Sequence, residues 1–222
     1  WVIPPKENSH FVAAMEQVLD VYKRPYNKSR PVVCMDETPK QLIKEVRRSL
    51  PARPGFEERV DYEYSRCGVC NVFMISEPLA GKRFTKVTNQ RTKKDWALLV
   101  KYICDKLYPD AEVITLVMDN LSSHSAAALY ETFEPEEAKR IWDRLEFIFT
   151  PKHGSWLNMA EIELNVLTKQ CLNRRIEDLQ TIKTEVKAWQ SNRNNKDSRI
   201  KWQFTTTDAR VKLHRLYPSI HN

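Results

Sequence analysis

Three carboxylates in this sequence stand where they could bind a divalent metal ion. Asp36 closes the apolar run PVVCMD, Asp119 closes the run VITLVMD, and Glu161 lies in WLNMAEIE, just after a turn that contains Pro, Gly and Ser. Two strands that end in Asp, followed by a helix that carries Glu, can bring oxygen ligands together on Mg²⁺. Hard oxygen ligands that leave coordination positions open to water suit chemistry on phosphate esters.

Two of these carboxylates have an acidic neighbour that competes for the same role. On an extended strand Asp36 and Glu37 point to opposite faces, so only one can join the site, and we favour Asp36 because it ends the buried run. Glu161 and Glu163 are separated by a rotation of about 200° on a helix and also lie on nearly opposite faces. The apolar pattern does not choose between these two glutamates, and spacing alone leaves Glu163 open.

Polar residues that follow Asp119 form a second group of candidates. Asn120 and His124 lie in the segment DNLSSH, where the start of a helix could bring His124 and backbone amides towards a phosphate. A hydrogen-bonding role beside the carboxylates, or a contact with DNA, is the functional interpretation. The alternative is a histidine that only caps or packs, because a single His is poorly diagnostic.

A third group of candidates lies around the start of the Glu161 helix. His153 and Trp156 precede this helix, suitably placed for contact with a nucleic-acid backbone and for base stacking. Asn158 is three residues before Glu161 and shares its helix face. Trp156 could equally be a residue that fills the core or anchors the loop.

The hydrophobic pattern predicts the elements that must position these residues. Strands are expected at residues 32–35, 69–77, 81–89, 112–119 and 146–151, and helices at 8–23, 92–108, 158–173 and 178–192. Residues 122–145 are expected to form one or two helices, with Ser122 or Ser123 as the N-cap. A short helix is also expected around QLIKEVRRSL, at residues 41–50. This order describes a mixed α/β sheet of five strands flanked by helices and fits a ribonuclease H-like fold. In that fold Asp36 and Asp119 meet at neighbouring strand ends.

Composition and charge favour a basic intracellular domain. The 222 residues carry 36 Lys and Arg against 29 Asp and Glu, a formal net charge of +7, so nucleic acid is the expected acidic partner. Basic residues between positions 82 and 94 could follow a DNA backbone, although such faces are more often simply solvated. Five scattered cysteines, with neither a secretory signal nor a membrane-length apolar run, indicate the cytoplasm and no membrane contact.

Three motifs, MDE, MDNLSSH and TPKHGSWLNMAEIE, resemble those of the DDE transposases of bacterial insertion sequences in the mariner superfamily. The resemblance runs over almost the whole chain. In that family the third acid closes a motif similar to Asn-Pro-Ile-Glu, and here Asn158, Met159, Ala160 and Glu161 occupy that place. The resemblance therefore favours Glu161 over Glu163. Met159 and Ala160 differ from the Pro and Ile of many relatives, which affects the entry angle of the helix.

The resemblance also implies an activity and its partners. Asp36, Asp119 and Glu161 would hold two Mg²⁺ or Mn²⁺ ions, cut transposon DNA ends, and join the freed 3′-hydroxyl to target DNA. A homodimer on DNA and a nucleoid-associated bacterial location are implied as well. Relatives carry helix-turn-helix domains ahead of this region, and since the chain starts at Trp1 we expect it to be part of a longer protein.

The domain prediction assigns residues 1–30 to a linker and helix, and residues 31–222 to the DDE catalytic domain with its terminal helices and basic tail. Two other functions stay open. One is an inactive or domesticated fragment that binds DNA without cutting it. The other is a ribonuclease H-like nuclease that hydrolyses nucleic acid without strand transfer.

Overall fold

A mixed five-stranded sheet, with strand order β3-β2-β1-β4-β5, is the centre of the molecule. A computed structural model describes residues 3–4, 6–47, 50–59, 61–119 and 124–219. The strands are β1 (Val32–Glu45), β2 (Tyr64–Glu77), β3 (Lys82–Thr88), β4 (Ile114–Met118) and β5 (Leu145–Phe149). The first three strands are antiparallel neighbours, and β4 and β5 run parallel to β1. The predicted mixed sheet, with β1 at its centre and β4 beside it, is confirmed.

Helices cover both faces of the sheet. They are α1 (Ser9–Tyr22), α2 (Lys93–Tyr102), α3 (Ala126–Tyr130), α4 (Pro135–Asp143), α5 (Met159–Leu167), α6 (Leu179–Asn195) and α7 (Thr206–Lys212). The chain continues α2 and α5 as single π-helical turns, Ile103–Leu107 and Thr168–Leu172. Among the described residues, no helix is long and apolar enough to span a membrane.

Two hydrophobic cores lie on opposite faces of the sheet, because side chains alternate along each strand. On β1, Cys34 belongs to the core under α1, α5 and α6, whereas Val33 and Met35 belong to the core under α2, α3 and α4. The predicted helix α1 buries one of its faces in the first core. Its N-cap is Asn8, whose side chain accepts a hydrogen bond from the Phe11 N–H.

The first strand is longer than its apolar run predicts. Asp36 does not end β1 but pairs with Met74 in the middle of it, and the strand continues to Glu45. The prediction of a short helix at 41–50 is therefore wrong for residues 41–45. These residues are helix formers by propensity, but pairing with β2 supplies their backbone hydrogen bonds and overrides that weak preference. The register shifts between Gln41 and Ile43, where the ladder has an irregularity.

The helical region after β4 takes the two-helix form of the prediction. It forms two separate helices, α3 and α4, and Pro135 stands at the first position of α4, where a missing N–H costs nothing. Ser125 occupies the N-cap position of α3. The predicted caps, Ser122 and Ser123, lie outside the described residues.

Candidate active site

The two strand aspartates lie at the same level of the sheet. Cys34 on β1 is directly opposite Val117 on the parallel strand β4, and Asp36 and Asp119 each follow two residues later. Beyond this point β1 continues only with β2, so a gap opens between β1 and the end of β4. Both carboxylates thus stand where the parallel strands separate, which is the usual position of a site in an α/β sheet.

Negative charge accumulates around Asp36. Burial is the largest cause that raises its pKa to about 7, and the charges of Asp119, Glu37 and Glu161 raise it further. The N–H of Glu37 donates a 2.8 Å hydrogen bond to Asp36 Oδ1, which acts in the opposite direction. The charges that act most strongly on Asp36 are thus those of other carboxylates.

The start of α5 is attached directly to the strand that carries Asp36. Asn158 is the N-cap: its side-chain oxygen accepts from the Ala160 N–H at 3.1 Å, and its Nδ2 donates to the carbonyl oxygen of Met35 at 2.8 Å. Asn158 is buried, whereas Glu161 lies exposed in the first turn of the helix. This predicted candidate therefore attaches the helix that carries Glu161 to the strand that carries Asp36.

Glu163, the rival of Glu161, is buried in an ion pair with two arginines. Its Oε1 is 2.6 Å from Arg83 Nη2, and Arg193 Nε donates to its Oε2 at 3.1 Å. Burial alone would raise the pKa of Glu163, but these two partners outweigh burial and lower it. Arg83, one of the basic residues expected to follow DNA, has a side chain with 0% exposure and cannot do so.

His124 joins Asp119 to Glu37. Its Nδ1 is 2.8 Å from Asp119 Oδ1, its Nε2 is 3.7 Å from Glu37 Oε2, and its ring stacks on Trp96 with centroids 5.7 Å apart. Burial by itself would lower the pKa of His124, but Asp119 and Glu37 outweigh burial and raise it. The buried Glu37 carboxylate also lies 3.8 Å from Arg91.

Glu37 was not among the predicted site residues, and its contact with His124 was not foreseen. Glu37 does point away from Asp36, as strand alternation predicts, but it meets the histidine that contacts Asp119. No sequence signal carries this contact, because Glu37 and His124 are far apart in the sequence and meet only in the folded protein. Asn120, predicted as a companion of His124, lies outside the described residues.

The turn before α5 contains the remaining candidates. His153 is exposed and has φ 66°, in the left-handed region, while a Cβ on Gly154 would lie 2.5 Å from Pro151 Cγ. The chain approaches Pro151 too closely at position 154 for a side chain, so glycine is needed there. Trp156 is 8% exposed and packs edge-on against Phe204, at 6.1 Å between ring centroids, which corresponds to the packing alternative rather than to base stacking.

The residues fit a hard divalent cation by donor chemistry and charge. All three predicted ligands are carboxylates, and Asp119 Oδ1 is buried without a well-directed hydrogen bond, although His124 Nδ1 is 2.8 Å away. A bound cation would relieve the repulsion that Asp119 and Glu161 exert on Asp36. Across the part of the chain that the structure describes, however, no three Asp, Glu, His or Cys side chains converge closely enough to enclose an ion.

Comparison with solved structures identifies the fold. The Mos1 mariner paired-end complex with Mn matches with a TM-score of 0.60 at 15% identity, over 89% of this chain and 60% of the Mos1 chain. The Mos1 paired-end complex with Mg gives 0.61 at 13% identity, over 99% and 66%. The Mos1 strand transfer complex gives 0.57 at 14% identity, over 89% and 61%. The chain thus spans between 60% and 66% of the Mos1 chains, and the predicted ribonuclease H-like fold is confirmed.

Comparison of the sequence with protein families identifies a matching family. A family described as DDE superfamily endonuclease matches residues 31–183, which is more than half of the chain and includes Asp36, Asp119 and Glu161. No curated protein matches the sequence. The predicted resemblance to DDE enzymes is confirmed, and the chain belongs to the DDE endonuclease superfamily.

Proposed function

We propose that this chain is the catalytic domain of a transposase, which cleaves DNA strands and transfers them with the help of Mg²⁺ or Mn²⁺. The observation that carries the proposal is the cluster of carboxylates around Asp36, where the charges of Asp119 and Glu161 add to burial in raising the Asp36 pKa. A stable domain rarely gathers like charges unless a cation or a reaction requires them. The family and the fold favour DNA as the substrate of this cluster.

Glu161 is the third acid of the proposed site. It is exposed, it lies near enough to raise the pKa of Asp36, and Asn158 holds its helix against β1. Glu163 is occupied by Arg83 and Arg193 and would have to leave both to reach a metal ion. The geometry therefore supports the choice that the family resemblance favoured.

Asp36, Asp119 and Glu161 would hold the metal ions. When bound, two such ions would lower the pKa of the attacking water or 3′-hydroxyl and stabilise the leaving oxygen. His124 keeps the Asp119 carboxylate in place from the side of Glu37, and Asn158 keeps α5 at the correct distance from Asp36. The protein thus contributes fixed ligands, and no covalent protein intermediate is needed.

The partners of the proposed reaction are transposon ends and target DNA. The matching Mos1 structures are described as paired-end and strand transfer complexes, one of them with a left transposon end. By analogy we propose that two copies of this protein act together on DNA. An origin in a bacterial insertion sequence, a nucleoid location, and a catalytic domain that begins at residue 31 belong to the same proposal.

Nicking of supercoiled plasmid in Mn²⁺ and in Mg²⁺ tests the catalytic proposal. The parent chain should nick, and Asp119→Asn and Glu161→Gln should each lose at least about 100-fold in rate, since loss even of residues behind metal ligands costs 10- to 100-fold. Glu136→Gln is the matched control, because Glu136 is an exposed acid on α4. Unchanged nicking by Asp119→Asn would refute the proposal.

Two further outcomes separate the alternatives. DNA binding without any metal-dependent nicking would indicate a domesticated or decayed fragment. Nicking without joining of a 3′-hydroxyl oligonucleotide to the plasmid, in a protein supplied with its own transposon ends, would indicate a nuclease that does not transfer strands.

A further inference from the structure

The buried ion network of Arg83, Glu163 and Arg193 connects three elements behind the proposed site. Arg83 belongs to β3, Glu163 to α5 and Arg193 to α6. Arg83 and Glu163 have side chains with 0% exposure, and Arg193 is 23% exposed. Arg83 also donates to the carbonyl oxygen of Ser198, just beyond α6.

The arginines of this network are held in a rigid frame. Asn194 on α6 accepts from the Arg83 N–H at 2.8 Å and donates to the Arg83 carbonyl oxygen at 2.9 Å. Four residues earlier on α6, Gln190 accepts from the Thr85 N–H at 2.8 Å. The two amide side chains thus pair α6 with the free edge of β3, much as another strand would. Glu163 docks α5 onto this frame.

The network is not built in the way that maximises stability. Nε and Nη1 of Arg83 are buried without a hydrogen-bond partner among the described residues, which carries a desolvation cost. Apolar side chains of similar volume are often as stabilising as a buried ion pair, or more so. What the charged network adds is direction, since Glu163 must meet donors of fixed geometry on two sides. A helix fastened in this way has little freedom to rotate about its axis.

Rotation of α5 matters because Glu161 and Glu163 are on the same helix. Asn158 fixes the first turn to Met35, next to Asp36, and Glu163 fixes the opposite face two residues after Glu161. We propose that Glu163, together with Arg83 and Arg193, is a positioning residue that sets the orientation of Glu161 towards Asp36 and Asp119. This inference rests on the proposed function, because it assigns Glu161 to the metal site.

Glu163→Gln tests the inference, since it keeps the shape of the side chain and removes its charge. With folding verified by circular dichroism, calorimetry should show weaker Mn²⁺ binding, by at least about 5-fold. Single-turnover strand cleavage should fall by about 10- to 100-fold, the usual cost of losing support behind a metal ligand, while DNA affinity stays within twofold. The control is Ile141→Ala, a cavity in the core on the other face of the sheet. It should lose stability but keep Mn²⁺ affinity and cleavage rate.

Arg193→Gln is the second variant, because it removes only the partly exposed arginine of the network. It is measured in the same ways and serves the test if Glu163→Gln does not fold. A folded Glu163→Gln or Arg193→Gln protein that binds Mn²⁺ and cleaves like the Ile141→Ala control overturns the inference alone. If Glu161→Gln leaves the parent's Mn²⁺ binding and cleavage unchanged, the proposed function fails, and the inference fails with it.

Discussion

Two glutamates that are two residues apart on α5 should differ strongly in how much stability their substitution by alanine costs. Glu163→Ala removes the carboxylate that forms an ion pair with the fully buried Arg83 side chain, and it also removes the ion pair with Arg193, which is 23% exposed. Breaking a buried ion pair by removing one partner costs about 3–5 kcal/mol. Glu161→Ala removes an exposed side chain that repels Asp36, so its effect should stay within about 0.5 kcal/mol.

Urea denaturation followed by circular dichroism measures the free energy of unfolding of each variant, and thermal unfolding gives the corresponding change in Tm. For a domain of this size about 1 kcal/mol corresponds to 2–4 °C in Tm, so Glu163→Ala should melt roughly 6–20 °C below the parent. The dependence of unfolding free energy on urea should keep its slope, because the surface exposed on unfolding hardly changes. The reasoning is refuted if Glu163→Ala loses less than about 1 kcal/mol, or if Glu161→Ala loses as much as Glu163→Ala.

Two further predictions concern other contacts. Asn158→Ala loses both the cap on α5 and the hydrogen bond to Met35, so urea denaturation should show a free energy of unfolding lower by about 1–3 kcal/mol. An Asn158→Ser variant can still cap the helix and should lose less stability. Equal losses in the two variants would contradict the capping role. Hydrogen bonding from Arg24 lowers the pKa of Glu146 from 4.5 to about 2, so the pair stabilises the fold above pH 4.5 and this stabilisation is lost as the pH falls towards 2. Both side chains are more than a third exposed, so solvent screens the ion pair. Glu146→Gln should therefore lower the free energy of unfolding by only about 1 kcal/mol at pH 7 and by almost nothing at pH 2. An equal cost at both pH values would contradict the assignment.

Local patterns were sufficient for most of the elements. Apolar runs and helical spacing predicted all five strands and the helices α1 and α2, because each of these elements has at least one face in a core. The second half of β1 was missed, since Asp36 to Glu45 is polar and its strand structure depends on pairing with β2. Long-range pairing of this kind leaves little trace in the local sequence.

In the candidate site, too, local patterns predicted some residues, whereas contacts between distant parts of the chain could not be predicted. The positions of Asp36 and Asp119 followed from the order of strands, and Glu161 followed from a family motif. The arginines around Glu163 could not be foreseen, because Arg83 looks like one more basic residue on an exposed strand until α6 covers it. Glu37 was hidden for a related reason: its partner His124 comes from another part of the chain.

Calorimetric titration of Mn²⁺ into the parent chain and its Asp36→Asn, Asp119→Asn and Glu161→Gln variants tests the central claim most directly. The three carboxylates form one site in this account, so the parent should bind Mn²⁺ and each substitution should weaken binding by at least about tenfold. Glu136→Gln should bind as the parent does. Mn²⁺ binding that survives all three substitutions, or a parent that binds no Mn²⁺ either alone or with DNA, would contradict the account.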